Sequence, residues 1–374
     1  MIVTQSKSPN GVPTPVNFHY PQIEPTTQAL DPGMILVSFL FSPINPQDLL
    51  VITGRYPVQP SYSHKGEPVL GYDGVARVEA VGSYDTSSSA PSPELRPGDL
   101  VIPRRHGLGT WRSQAVLEAA NVIRLAPTDD LVSASLLRMA FLPAYLLVED
   151  VRALTPGDWI VQNLGSGTIA RLVAQFARMK GAHTVSIVRD RDAEAFQSLK
   201  VELLAEGASV VISESDLKER GLEAHAGLAD AAARRRVVLA VDGVFGESGE
   251  RLASLLSHGG TFVNYGSLGG ADGVVRLSQR LLFWSEIKFQ NFRLSDRLAK
   301  RTPEQQVSIL LWFQDLLTRD VLATPKVRRC KIPVSAGDQA EFEHIVKNAV
   351  SPESGAPVGH IKRVLEFQHT LVRD

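Results

Sequence analysis

Cysteine is nearly missing from this chain of 374 residues, which holds one, Cys330. A single thiol excludes an internal disulfide and any metal site built from a cysteine cluster. Cys330 itself reads as a structural thiol rather than a nucleophile. An excess of charge is missing too: 39 Lys and Arg stand against 40 Asp and Glu, a net charge of −1. That balance argues against nucleic acid or an anionic membrane as a partner held by bulk attraction. No apolar run approaches the roughly 20 residues that span a bilayer. Residues 1–20 show neither the apolar core of a signal peptide nor the Arg-rich, acid-poor amphipathic helix of a transit peptide, so the expected location is the cytoplasm.

What is present is the composition of an ordinary globular protein, in a chain too long for one core and suited to two domains. The first part reads as short strands between proline and glycine turns. Residues 34–41 form a β-prone apolar run after Asp31-Pro32-Gly33, and 74–82 alternate apolar and polar side chains. Residues 84–97 are rich in serine and proline without a period, a surface loop. Pro97-Gly98-Asp99 then turns into the strand 100–103. Such a pattern suggests a small β-barrel-like domain.

From about residue 133 the pattern changes. Residues 133–150 have helical spacing, and 159–163 read as a buried strand after Pro156-Gly157-Asp158. Helices expected at 169–180, 197–206, 217–236 and 246–257 alternate with strands at 183–188, 209–212, 237–241 and 261–266. This alternation specifies an α/β fold, a doubly wound parallel sheet covered by helices on both faces. A helix at 303–319 ends the domain. Strands at 327–332 and 361–367, with a helix between them, could return to the first domain.

The strand 159–163 runs into Leu164-Gly165-Ser166-Gly167-Thr168-Ile169-Ala170 and then a helix. This is GxGxxA, a variant of the dinucleotide fingerprint. Gly165 permits the tight turn, Gly167 lets the backbone approach a pyrophosphate, and Ala170 allows close helix–strand packing. The helix N-terminus offers free N–H groups and a positive dipole end to the diphosphate. A glycine turn alone could be a strand-to-helix connection without a ligand; the flanking strand, the helix and a second strand at the right distance favour the ligand. That second strand ends Val188-Arg189-Asp190-Arg191, where an NAD protein usually places Asp or Glu for the ribose hydroxyl. Arg189 and Arg191 suit a 2′-phosphate instead, which points to NADPH. The bland alternative is a solvated turn in which Asp190 merely pairs with an arginine.

Several segments now carry a resemblance: Ile44-Asn45-Pro46-Gln47-Asp48 with Gly54-Arg55-Tyr56-Pro57, then Gly107-Leu108-Gly109-Thr110-Trp111-Arg112, Gln162-Asn163, and Gly259-Gly260-Thr261 with Tyr265-Gly266. With these the chain resembles the medium-chain dehydrogenase/reductase superfamily, and within it the mitochondrial-type trans-2-enoyl thioester reductases. The resemblance implies a GroES-like β-barrel-type catalytic domain from residues 1–127 and 325–374, with a Rossmann NADPH-binding domain over 128–324. It implies reduction of an enoyl thioester, carried on CoA or acyl carrier protein, to the saturated acyl thioester. A fatty-acyl or a polyketide intermediate would fit. Tyr56 matches the family's acid and enolate partner; a phenol ordinarily ionises near pH 10 and can donate at neutral pH. Asn45 matches a residue near the nicotinamide and acyl group. Tyr265 and Gly266 join the cofactor set, and Trp111 shapes either the pocket wall or the core. Zinc-dependent relatives carry Gly-His-Glu where this chain has Gly71-Tyr72-Asp73-Gly74, so no catalytic zinc is expected. A homodimer through Rossmann-domain edges is implied, with residues 283–292 able to supply a strand. Mitochondrial residence is the alternative location by resemblance.

The chain also departs from the family. Ala140-Phe141-Leu142-Pro143 replaces the usual Asn-Pro-x-Thr beside the nicotinamide, and Asp242 stands where asparagine is usual. Arg293 replaces a tryptophan after Phe292, His360 falls where the family's lysine lies, and the loop at 84–97 is longer. His106 and His225 have no partner spacing for a metal and read as surface residues; Arg234, Arg235 and Arg236 read as a solvated helix end. Three readings follow: an enoyl thioester reductase, another zinc-free NADPH reductase acting on quinones or enones, or a catalytically weak NADPH-binding protein with a partner role.

Overall fold

In a computed structural model, which describes residues 1–5, 16–21, 30–54, 56, 58, 60–83, 94–225, 227–269, 273–334, 337–351 and 361–369, the apolar run after Asp31-Pro32-Gly33 becomes the strand Met34–Pro43. Gly33 takes a φ of 78° and Met34 N closes the turn on Asp31 O at 3.1 Å, the left-handed conformation that favours glycine. This strand is the spine of the first unit. It pairs antiparallel with Val75–Val81, with Gln114–Glu118 and with the C-terminal strand Lys362–Gln368. Beyond it, Val327–Pro333 adds parallel to Lys362–Gln368, and the helix Gln339–Val350 makes the crossover. Leu100–Pro103 and Val122–Arg124 extend the other side, giving a sheet of seven strands among the described residues. Val37, Phe39, Tyr72, Trp111, Phe342 and Leu365 fill the core.

The second unit is a six-stranded sheet in which every neighbouring pair is parallel. The order runs Val210–Ser213, His183–Val188, Trp159–Gln162, Val237–Asp242, Thr261–Asn264 and Lys288–Asn291. This is the 3-2-1-4-5-6 order of a doubly wound dinucleotide-binding sheet, with the first strand beside the switch point. Trp159, Val161, Val185, Ala240 and Phe262 are buried in its core.

By contacts the first unit comprises Met1–Met139, Val307–Arg319 and Lys326–Asp374, the second Ala140–Gln306 and Asp320–Pro325. The division differs from the expected 127/128 and 324/325 for physical reasons. The helix Leu131–Leu136 packs on the spine strand. Gln314 clamps Ala126, its amide donating to the carbonyl and accepting from the N–H, both at 3.0 Å. Gln175 clamps Ala323 in the same manner and draws that segment into the second unit.

Two further expectations change. The helix read over 217–236 is two pieces, Glu214–Arg220 and Ala231–Arg234, because Gly221 ends the first with a φ of 67°. The absence of a long apolar run also fails: Leu131–Glu149 is 19 helical residues, with a stretch of 18 whose mean hydropathy is 1.8. Since 83% of that stretch is buried inside the protein, it is a core helix. It contains a π-helical turn, Leu137–Phe141.

Candidate active site

Strand Trp159–Gln162 delivers the glycine turn to the C-terminal edge of the parallel sheet, where ligands of such sheets bind. Gly165 is required there by proximity: a Cβ would lie 2.9 Å from Ile187 O on the second strand, to which Gly165 N donates at 2.9 Å. The left-handed step falls on Leu164, with a φ of 53°. Gly167 caps the helix Thr168–Met179, and a Cβ there would meet Leu164 O at 3.0 Å. Ala170 is buried against the sheet, its carbonyl accepting from Gln162 Nε2 at 2.9 Å. Ser166, Thr168 and Ile169 stay half-buried at the helix start. A cradle that side chains would fill, at the start of a twelve-residue helix, fits a diphosphate.

The second strand, His183–Val188, ends at Arg189, Asp190 and Arg191. Asp190 accepts from Ser215 N at 3.1 Å and Ser215 Oγ at 2.6 Å. The Ser215 hydroxyl bond holds its carboxyl below the usual range. Arg191 Nη1 donates to Arg189 O at 2.6 Å, and its Nε is buried without a partner among the described residues. Burial, then the charges of Arg189 and Arg171, lower the Arg191 pKa. A cation pressed by cations, with a buried donor to spare, fits an anionic ligand group.

Asp242 is fully buried and spent on structure. Its carboxylate accepts from Asn163 Nδ2 at 2.6 Å, from Asn264 Nδ2 at 2.7 Å and from Phe245 N at 3.0 Å. It ties the ends of three strands together. Tyr265 N donates to Asp242 O at 2.9 Å, and the phenol lies over Gly243, where a Cβ would come within 2.7 Å of its oxygen. Burial and the Asp242 charge push this phenol upward. Gly266 O accepts from Asn264 Nδ2 at 2.6 Å.

In the first unit Asn45 opens the helix Pro46–Ile52 through a capping box with Asp48, and Pro46 occupies the first turn, where its missing N–H costs nothing. Asn45 is buried. Asp48, fully buried, accepts from Asn45 N at 2.7 Å and from Tyr72 N at 3.1 Å. Burial pushes its carboxyl up to about 7. Tyr56 stands edge-on to Tyr72, ring centroids 5.9 Å apart, and the Tyr72 hydroxyl donates to Val58 O at 2.6 Å. Arg55 and Pro57 beside Tyr56 lie outside the described residues.

Sequence reasoning missed the charged groups behind Asn45. Lys362 Nζ donates to Asn45 Oδ1 from a strand 317 residues further on. Asp73 accepts from Met139 N at 3.1 Å, and burial pushes it up to about 7 against the Arg138 charge. Burial also lowers Arg138 to about 10. His106 is a correction: it is half-buried, its Nδ1 3.3 Å from Arg138 Nη1, and burial and Arg138 lower its pKa to about 4. His225 is likewise mostly buried, 3.3 Å from Asp216; Arg235 and Arg236 are exposed, in line with a solvated helix end, and Arg236 also pairs with Asp158 at 2.9 Å. Trp111 is fully buried in the core, folded around Gly71. Ala140 and Phe141 lie buried in the π-helical turn, followed by buried Leu142 and Pro143. Arg293 is exposed, and His360 and residues 84–93 lie outside the described residues. Among the described residues no group of three His, Cys, Asp or Glu side chains could hold a metal ion.

No family model matches the chain. It is 34% identical over 291 residues to the human mitochondrial enoyl-[acyl-carrier-protein] reductase, covering 78% of this chain and 73% of that one. It is 32% identical over 281 residues to an NADPH quinone oxidoreductase of Kluyveromyces marxianus, covering 73% and 70%. The solved Etr1p/NADP/crotonyl-CoA complex superposes with a TM-score of 0.81 at 22% identity, over 98% of each chain, and so shares the fold. The chain belongs to the mitochondrial-type enoyl thioester reductases of the medium-chain dehydrogenase/reductase superfamily.

Proposed function

We propose that the protein reduces the 2,3 double bond of a trans-2-enoyl thioester with NADPH. The observation that carries the reading is the buried Asn45 side chain, its Oδ1 held by Lys362, with Asp48 accepting from the backbone N–H of both Asn45 and Tyr72, whose ring meets Tyr56 edge-on. NADPH, when bound, supplies the hydride that reaches the β-carbon. Gly165, Ser166, Gly167, Thr168, Ile169 and Ala170 would cradle its diphosphate, Arg189 and Arg191 its 2′-phosphate, and Tyr265 and Gly266 would complete the cofactor set. As electrons move toward the thioester oxygen, the Asn45 amide donates to the developing enolate, the kind of donor worth about 10²–10³ in rate. Tyr56 donates to the same oxygen and passes its proton to the α-carbon.

A quinone or enone reductase is the second reading, favoured by the Kluyveromyces marxianus relative. NADPH oxidation measured with crotonyl-CoA, the acyl-carrier thioester, an enone and a quinone separates the two. Turnover of the thioesters far above the others is expected; turnover confined to quinone or enone overturns the first reading. The same panel decides between CoA and carrier protein. The human relative's name favours mitochondrial residence over the cytoplasmic expectation, and subcellular fractionation decides it. We also propose a homodimer, its contact lying along the sheet edge Lys288–Asn291.

A further inference from the structure

Asn45 belongs to the proposed oxyanion site, yet a primary amide is a poor fixed donor. Its oxygen and nitrogen ends have similar shapes, so something must hold the oxygen end back if the nitrogen end is to face substrate. Lys362 Nζ, from the strand Lys362–Gln368, donates to Asn45 Oδ1. An ammonium has three donors and no acceptor, so it can bind only the oxygen end. The Nδ2 end is buried and makes no hydrogen bond of good geometry among the described residues. It carries two N–H bonds, of which the neighbouring Asp48 can take one.

The ammonium is itself held charged. Asp48 reaches it from the helix Pro46–Ile52 and Asp73 from the turn before Val75–Val81; both raise its pKa against burial, which lowers it to about 8. Arg138, from the π-helical turn, faces Asp73, with His106 and Tyr72 behind. Lys362 thus links the amide to two carboxylates, one of which faces a second cation. A packing role alone would call for a long side chain at 362, without a charge.

We propose that Lys362 is a positioning residue that locks the Asn45 amide with Nδ2 as the donor toward the thioester oxygen. The inference rests on the enoyl reductase reading. Lys362→Met keeps the length and removes charge and donor; Lys362→Arg keeps both. With crotonyl-CoA, Lys362→Met should lower kcat about ten- to hundredfold with NADPH affinity unchanged, and Lys362→Arg should recover part of the loss. The wild-type kcat should fall as pH rises through about 8, where the ammonium deprotonates, and Lys362→Met should lack that limb. Lys362→Met with kcat within twofold of wild type, or with the alkaline limb intact, overturns the proposal. The Asn45 side-chain amide resonances, identified by their loss in Asn45→Asp, supply a readout without turnover. They should shift through about pH 8 in wild type and not in Lys362→Met. If no enoyl thioester is reduced by wild type, the reaction reading fails, and the amide resonances alone still decide whether Lys362 holds Asn45. Should Lys362→Met not fold, Lys362→Gln and the wild-type titration carry the same test.

Discussion

Arg191, proposed to read the 2′-phosphate, stands where one residue would select between two cofactors that differ by a single phosphate. Its guanidinium is anchored on Arg189 O, its Nε is buried without a partner among the described residues, and Asp190 accepts from Ser215. Charge-assisted hydrogen bonds contribute roughly 1.5–3 kcal/mol each. Arg189→Ala with Arg191→Ala should therefore weaken NADPH binding about ten- to hundredfold in a fluorescence titration and leave NADH nearly unchanged. An equal loss for both cofactors would mean that these arginines do not read the 2′-phosphate. Tyr56→Phe keeps the edge-on ring contact with Tyr72 and removes only the hydroxyl. Turnover of crotonyl-CoA should drop by about 10² or more, the range of a lost general acid, with NADPH affinity kept; undiminished activity removes Tyr56 from the mechanism.

At the scale of elements, backbone geometry rather than chemistry sets the constraints. Gly71 takes a φ of 101°, and a Cβ there would lie 2.3 Å from Thr110 Oγ1, 2.5 Å from Trp111 Cδ1 and 2.6 Å from Trp111 N. Left-handed strain and overpacking each cost on the order of 1–3 kcal/mol, and the backbone N cannot swing aside. Gly71→Ala should lower the midpoint of thermal unfolding by several degrees, whereas Gly98→Ala, with nothing within 4 Å of its Cβ, should lower it less. Equal midpoints would show that the Gly71 turn relaxes freely. This contrast also explains what the sequence discloses. The strand–helix alternation from 159 to 264 is legible because periodicity and turn residues are local signals. The π-helical turn Leu137–Phe141 is not, since its apolar residues fit an α-helix as well. Lys362 is invisible for a related reason: a lysine two residues from His360 has no local mark, and its partner Asn45 lies at the other end of the chain. Arg138 and Asp73 are charges in apolar surroundings, and only the fold brings them together.

For the whole molecule, the unanswered demand is a partner for the edge of the parallel sheet. The outermost strand, Lys288–Asn291, pairs on one side with Thr261–Asn264. The segment leading into it exposes apolar side chains: Val274 at 66%, Leu282 at 49%, Phe283 at 66% and Trp284 at 67%. Scattered apolar residues on a surface need no explanation, but a contiguous group beside an open strand edge marks an interaction site. A second copy of the chain can satisfy both features with one isologous contact, the commonest symmetry of soluble oligomers. Light scattering coupled to size exclusion should give twice the chain mass for wild type. Phe283→Asp with Trp284→Asp places two charges in that contact and should give the monomer mass. NADPH binding should persist, because neither residue belongs to the glycine turn or the arginine pair. A wild-type monomer, or a double variant that stays dimeric, removes this edge as the interface.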